Sequence, residues 1–279
     1  MFFQRTLSSI FLIVIIVFTV SLSKGSLAFL TLLVSNVIIA FGLLDFMYIT
    51  NRDGSKLLRT CGVISGIILN TFLFFRYFFG QSGSEILVAG TVIILFSMFV
   101  IQIIRQETKF TIHGICTTLT GIIYVVWLFS YLIKIIYISH VDGRWLILVL
   151  AAITKSGDIF AYLIGSNFGK HKLIPKISPK KTVEGSIGGI IGSVLVAVFI
   201  IKITPVPVKM SGHSWILGII LGITGQLGDL IESMLKRNGS VKDSGQYIPG
   251  MGGVLDLLDS ILFNAPIMYF YLYYILDMS

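Results

Sequence analysis

Charge is what this sequence has least of. Only 12% of its 279 residues are Asp, Glu, Lys or Arg, while 55% are hydrophobic. A soluble domain carries about 25% charged residues. The scarcity excludes one large water-soluble core, because a globule of this size cannot hide that much apolar side chain. The fitting solvent is a bilayer, whose hydrocarbon core asks for about 20 apolar residues per helix. Cysteine is nearly absent as well. Cys61 and Cys116 lie in or beside apolar runs, with no CxxC and no metal spacing. That excludes a zinc ribbon or a disulfide framework and leaves two small buried residues. Histidine is equally sparse: His113, His140, His171 and His213 are scattered and form no HExxH. There is no low-complexity tail and no clear repeat.

What is present is apolar sequence in long runs. The first, SSIFLIVIIVFTVSL after Arg5, is long and is followed by no small-x-small cleavage site. It reads as an uncleaved span rather than a signal peptide. Sustained runs predict about nine transmembrane helices, near 7–23, 26–49, 57–79, 85–104, 112–138, 145–165, 184–203, 214–235 and 255–276. The fold class is therefore an all-α polytopic membrane protein. A division into residues 1–110, plain lipid-facing scaffold helices, and residues 111–279, which carry the site, follows from where the polar residues lie.

Lysine and arginine favour cytoplasmic loops. With the N-terminus inside, one side receives Arg5, Arg52, Lys56, Arg59, Arg105, Lys109, Lys170, Lys172, Lys176, Lys180, Lys181, Lys236, Arg237 and Lys242. The other receives only Lys24, Arg144, Lys202 and Lys209. This predicts a cytoplasmic N-terminus and an outside C-terminus. The net charge of +8 then reflects the positive-inside bias and attraction to anionic headgroups, not nucleic-acid binding.

The acids are uneven. Asp158, Glu184, Asp229, Glu232, Asp243, Asp256 and Asp259 all fall in the second half, near the cytoplasmic ends of the last four spans or in the loop between the last two. Charges in spans are costly and face an interior or a wet cavity, so convergence on one site is the better reading. Gly218, Gly222, Gly225 and Gly228 make one smooth helix face suited to close packing. Asp229, then Glu232 or Ser233, then Lys236 follow about one turn apart. Asp256 and Asp259, at i and i+3, share a face just after Gly252 and Gly253. Carboxylates placed so suit a hard divalent cation such as Mg²⁺ with substrate phosphates. Lys180 and Lys181 precede the seventh span, whose positive end favours phosphate. Acids that hold metal, with lysines round them, are what polyphosphate chemistry requires.

Two glycine-rich stretches fail as nucleotide motifs. GSNFGKH (residues 165–171) lacks P-loop spacing and has no Ser or Thr after its lysine. GSIGGIIG (residues 185–192) lies inside an apolar helix, where small-residue packing explains it.

The stretch SMLKRNGSVKDSGQYIPGMGGVLDLLDS resembles the signature of the phosphatidate cytidylyltransferases, or CDP-diacylglycerol synthases. That signature reads Ser-x-x-Lys-Arg, four residues, Lys-Asp, then Pro-Gly-His-Gly-Gly and Asp-Arg-x-Asp. Ser233, Lys236, Arg237, Lys242, Asp243, Pro249, Gly250, Gly252, Gly253, Asp256 and Asp259 match with the spacing kept. A second block runs from Asp158 through Tyr162, Gly165 and Gly169 to SPKKTVEG (residues 178–185). A third is Gly228, Asp229, Leu230, Glu232 and Ser233. Met251 and Leu257 stand where the family has a histidine and an arginine. A phosphate monoester, with a second pKa of about 6, needs little help from such a histidine to lose its proton.

The resemblance implies that CTP and phosphatidate give CDP-diacylglycerol and pyrophosphate, with Mg²⁺, K⁺ alongside it, and a homodimer. It maps the metal aspartates onto Asp229 and Asp256, with Asp259 nearby. Lys180, Lys181, Lys236, Arg237 and Lys242 would cradle phosphates, and Ser233 would bond a phosphate oxygen. Asp158, Tyr162, Asp243, Gly252 and Gly253 would shape the site. The enzyme would lie in the bacterial cytoplasmic membrane with its site facing the cytosol. The rival enzyme is a CTP-dependent polyprenol or phytol kinase. An ion-coupled transporter is further off, since its acids would sit at the midplane between repeated halves.

Overall fold

The computed structural model describes residues 23, 28–50, 56–80, 85–106, 111–138, 141–245 and 252–277. Eight helices among them are long and apolar enough to cross a membrane. The predicted span at 7–23 lies outside the described residues, as do Arg5, Lys24, Arg52, Lys109, Pro249, Gly250 and Met251.

The order is α1 (Ala28–Thr50), α2 (Lys56–Phe78), α3 (Glu85–Arg105), α4 (Thr111–Gly121), a π-helical segment (Ile122–Trp127) and α5 (Leu128–Ile136). Then come α6 (Gly143–Phe168), β1 (Lys172–Ile174), β2 (Ser178–Thr182), α7 (Val183–Ile203), α8 (Val208–Asn238) and α9 (Leu255–Phe270), which runs on as a π-helical segment (Tyr271–Ile275). The predicted span at 214–235 is extended at both ends in α8, a helix of 31 residues. Pro207, with φ fixed near the helical value, immediately precedes it. Lys236 and Arg237 complement the dipole in its last turn. Pro266 lies inside α9, a position membrane helices tolerate. Two strands interrupt the all-α pattern: β1 and β2 pair antiparallel, Lys172 opposite Thr182 and Ile174 opposite Ser178.

The described residues form two compact units. One comprises those within Met1–Ile133 and Asn238–Leu257; the other those within Lys134–Arg237 and Leu258–Ser279. In the first, α1 and α2 are joined by a polar clasp. Asn70 Nδ2 donates to Asn36 Oδ1 at 2.7 Å and to Ser35 Oγ at 3.0 Å, and Asn36 Nδ2 donates to Thr71 Oγ1 at 2.9 Å. Trp127 Nε1 reaches Thr91 Oγ1 on α3 at 2.9 Å. Satisfying polar groups between helices is what the absence of water demands. Large apolar side chains on the outer faces, such as Ile68, Phe72, Phe96 and Ile103, are exposed, as suits hydrocarbon contact. Cys116, read as buried, is exposed on α4.

The second unit is packed through small residues. A Cβ at Gly189 would lie 2.9 Å from Gly157 O, and one at Gly218 only 2.5 Å from Val194 Cα. The helices α6, α7 and α8 therefore meet backbone to backbone. GSIGGIIG belongs to this packing: Gly188 faces Ile164 and Gly192 faces Phe160.

Candidate active site

The close approach of α6 and α7 opens at their hairpin ends. Thr182 caps α7, its Oγ1 accepting from Gly185 N at 3.2 Å. This satisfies one of the amides a helix start leaves without a partner. The carboxylate of Glu184, in the first turn of α7, accepts from the Lys170 and His171 amides at 3.1 and 3.2 Å and lies 2.6 Å from His171 Nδ1. These contacts fold the hairpin back onto the helix. Beneath it is a cavity of about 400 Å³, lined by Asp158, Tyr162, Gly165, Lys180, Lys181, Thr182, Ser186, Gln226 and Asp229 among others. Gln226 is held on both ends by Ser186, whose hydroxyl donates to its Oε1 and whose carbonyl accepts from its Nε2.

Asp229, on the wall of this cavity, meets two further acids. Asp229 and Glu232, i and i+3 on α8, and Asp259 on α9 place one carboxylate oxygen each within 4.8 Å of one another. Gly228 makes the approach possible, since a Cβ there would lie 2.6 Å from Asp259 O. Glu232 is 0% and Asp259 7% exposed. Lysines answer them. Lys181 Nζ lies 2.7 Å from Asp229 Oδ2, and Lys236 pairs with Glu232 one turn along α8. Lys155 Nζ lies 3.2 Å from Asp158 Oδ2, within electrostatic range of Asp259 and Asp229. Ser233 Oγ donates to Asp229 Oδ1 at 3.4 Å. Arg237 Nε donates to the Ile177 carbonyl in the hairpin turn at 3.2 Å, so it ties the end of α8 to the hairpin.

Three convergent carboxylates, two of them buried, fit a hard divalent cation. Such cations prefer oxygen ligands, and buried like charges need a neutralising partner.

The rest of the signature stretch belongs to the first unit. Asp256, in the first turn of α9, accepts through Oδ2 from Ser244 N at 2.9 Å, Ser244 Oγ at 2.7 Å and Gly253 N at 2.9 Å. Gly252 has φ +92°, a conformation that favours glycine. Lys242 and Asp243 are exposed, and Leu257 is half-buried.

Residues 3–275 match the cytidylyltransferase family. The chain belongs to that family. It is 32% identical over 272 residues to the phosphatidate cytidylyltransferase of Bacillus subtilis, covering 96% of this chain and 97% of that one. It is 32% identical over 267 residues to that of Staphylococcus aureus, covering 95% and 96%. To the Chlamydia muridarum phosphatidate cytidylyltransferase it is 42% identical over 131 residues, covering 46% and 43%.

In this cytidylyltransferase the second unit brings together Asp158, Tyr162, Lys180, Lys181, Asp229, Ser233, Lys236 and Asp259. Asp256, Gly252 and Gly253 form a capped turn in the first unit. Glu232 stands at helical spacing in the sequence but outside the expected metal set, and Lys155 and Gln226 are site residues that the sequence analysis does not single out. For Lys155 a signal existed: Lys155 and Asp158, i and i+3, are a charge pair inside an otherwise apolar helix.

Proposed function

We propose that this protein transfers the cytidylyl group of CTP to phosphatidate, giving CDP-diacylglycerol and pyrophosphate. The observation that carries the reading is the 400 Å³ cavity, built from membrane-length helices, with Lys180 and Lys181 beside the convergent acids Asp229, Glu232 and Asp259. Relatives named phosphatidate cytidylyltransferase match it over nearly their whole length.

A phosphatidate phosphate oxygen attacks the α-phosphorus of CTP. The bond from that phosphorus to the β-phosphate bridging oxygen breaks, and pyrophosphate departs. Lys180, exposed and on the cavity wall, holds phosphate oxygens. Lys181 does so from its place beside Asp229. The capped start of α7 adds its positive end to the same pull. Lys242, at the start of the signature turn, supplies a further cation for phosphate, and Tyr162 lines the entrance. Asp229, Glu232 and Asp259 would hold Mg²⁺, with Asp256 as the family's further metal aspartate and K⁺ as a companion ion. When bound, Mg²⁺ neutralises phosphate charge and polarises the phosphoryl oxygens. Acyl chains need no polar cavity and remain in lipid.

The lysine and arginine asymmetry supports a cytoplasmic N-terminus, nine spans once 7–23 is counted, and a site facing the cytosol of a bacterial inner membrane. A homodimer follows from the family resemblance.

The test is one assay. Purified protein with phosphatidate, labelled CTP and Mg²⁺ should yield labelled CDP-diacylglycerol and pyrophosphate in equal amounts. Well-folded protein that labels no lipid would overturn the reading. Release of CDP with a newly phosphorylated lipid alcohol would assign a kinase instead.

A further inference from the structure

The helix α1 is mostly apolar, and Asp45 is its one charged residue. Asp45 is 0% exposed. Its Oδ2 accepts from Leu255 N at 3.1 Å, and its Oδ1 is buried without a hydrogen-bond partner. A buried carboxylate with an unsatisfied oxygen is costly, and an apolar residue would pack there at less expense. What the carboxylate gains is a helix start. Leu255 N is among the amides that α9 cannot satisfy internally, and the positive end of α9 favours an anion.

The contact is close by construction. A Cβ on Gly253 would run into both Asp45 Oδ2 and Ser244 Oγ. Asp256 Oδ2 meanwhile accepts from Gly253 N and from the amide and hydroxyl of Ser244. The turn from Gly252 to Asp256 is thus gripped twice. Asp256 grips it within the signature stretch, and Asp45 grips it from a helix about 200 residues earlier, a span that no local hydrogen bond could bridge.

We infer that Asp45 is a positioning residue for the cytidylyl transfer: it fixes the Gly252–Asp256 turn at the start of α9 and so aims the Asp256 carboxylate. The inference rests on the proposed function only in taking Asp256 as the family's further metal aspartate. Asp45 touches no substrate. It acts through the Leu255 amide and the packing against Gly253.

The test pairs hydrogen–deuterium exchange of the peptide covering residues 252–262 with steady-state kinetics, on Asp45→Ala, Asp45→Asn and Asn70→Ala in the full-length protein. Asn70→Ala removes a buried polar contact of the α1–α2 clasp and serves as the matched structural control. In Asp45→Ala, exchange in that peptide should rise about tenfold. Its kcat should fall more than about tenfold, with KM for CTP held within about threefold. Asp45→Asn keeps an acceptor oxygen for Leu255 N and should bring both readouts back to within about threefold of the original protein. Unchanged exchange in Asp45→Ala would overturn the inference. So would an Asn variant as damaged as the Ala variant, or an equal kcat loss in Asn70→Ala at the same melting temperature. If the original protein makes no CDP-diacylglycerol, the functional reading fails, while the exchange measurement still decides whether Asp45 holds the turn.

Discussion

In the first unit, Ser35, Asn36, Asn70 and Thr71 bond to one another as neutral groups across α1 and α2. In the second, Lys155, Asp158, Lys181, Asp229, Glu232, Lys236 and Asp259 also gather between helices, but as charges, and Asp158, Lys181 and Asp229 line a cavity. Both units bury polar side chains in a chain with little charge to spare. Neutral amides cost far less to bury than charges, so they can join helices without a counter-ion. Like-charged carboxylates held within 4.8 Å demand something further, either cations from the protein or one from solution. The contrast separates polar groups that hold helices together from polar groups kept for chemistry.

The largest expected effect comes from chelation. Excess EDTA should abolish turnover and added Mg²⁺ should restore it, while the melting temperature of the first unit's clasp variants stays in the same order. Survival of turnover in EDTA would remove the metal role from the acidic cluster. Next, Asp229→Asn and Asp259→Asn should each lower kcat by about 10²–10³-fold with the protein still folded by its melting curve. Lys181→Met should cost about 10–100-fold in kcat/KM, because it removes a charge-assisted phosphate contact and the partner of Asp229. A KM for CTP that does not change would argue against a phosphate role. Gly218→Val should act on the fold instead. Its new methyl groups meet the Val194 backbone and should destabilise by about 1–3 kcal/mol, read in the melting temperature in detergent. The smallest effect belongs to the clasp. Asn70→Ala should cost about 1 kcal/mol of stability and leave kcat within about twofold.

The spans were legible because hydrocarbon imposes a length and a composition on any helix that crosses it. The predicted runs at 26–49, 57–79, 85–104 and 255–276 correspond closely to α1, α2, α3 and α9 with its π-helical continuation. The hairpin at residues 172–182 was not legible. It is short and polar, and its fold-back depends on Glu184 receiving two distant amides. Glu232 shows the limit for the site. Its one-turn spacing from Asp229 was visible, but whether it pointed with Asp229 or towards another face depended on how α8 rotates against α9. Asp45 shows the same limit over a longer distance, since nothing near residue 45 announces Leu255.

Residue order alone set the solvent, the helices, the polar second half and the signature that ties the chain to the cytidylyltransferases. These rest on composition and on spacing within single helices. Helix packing settled which acids meet, which lysine answers which acid, and that a carboxylate on α1 accepts from the start of α9. Periodicity fixes the face of a helix on which a residue lies, whereas the packing of glycine-lined backbones fixes what that face touches.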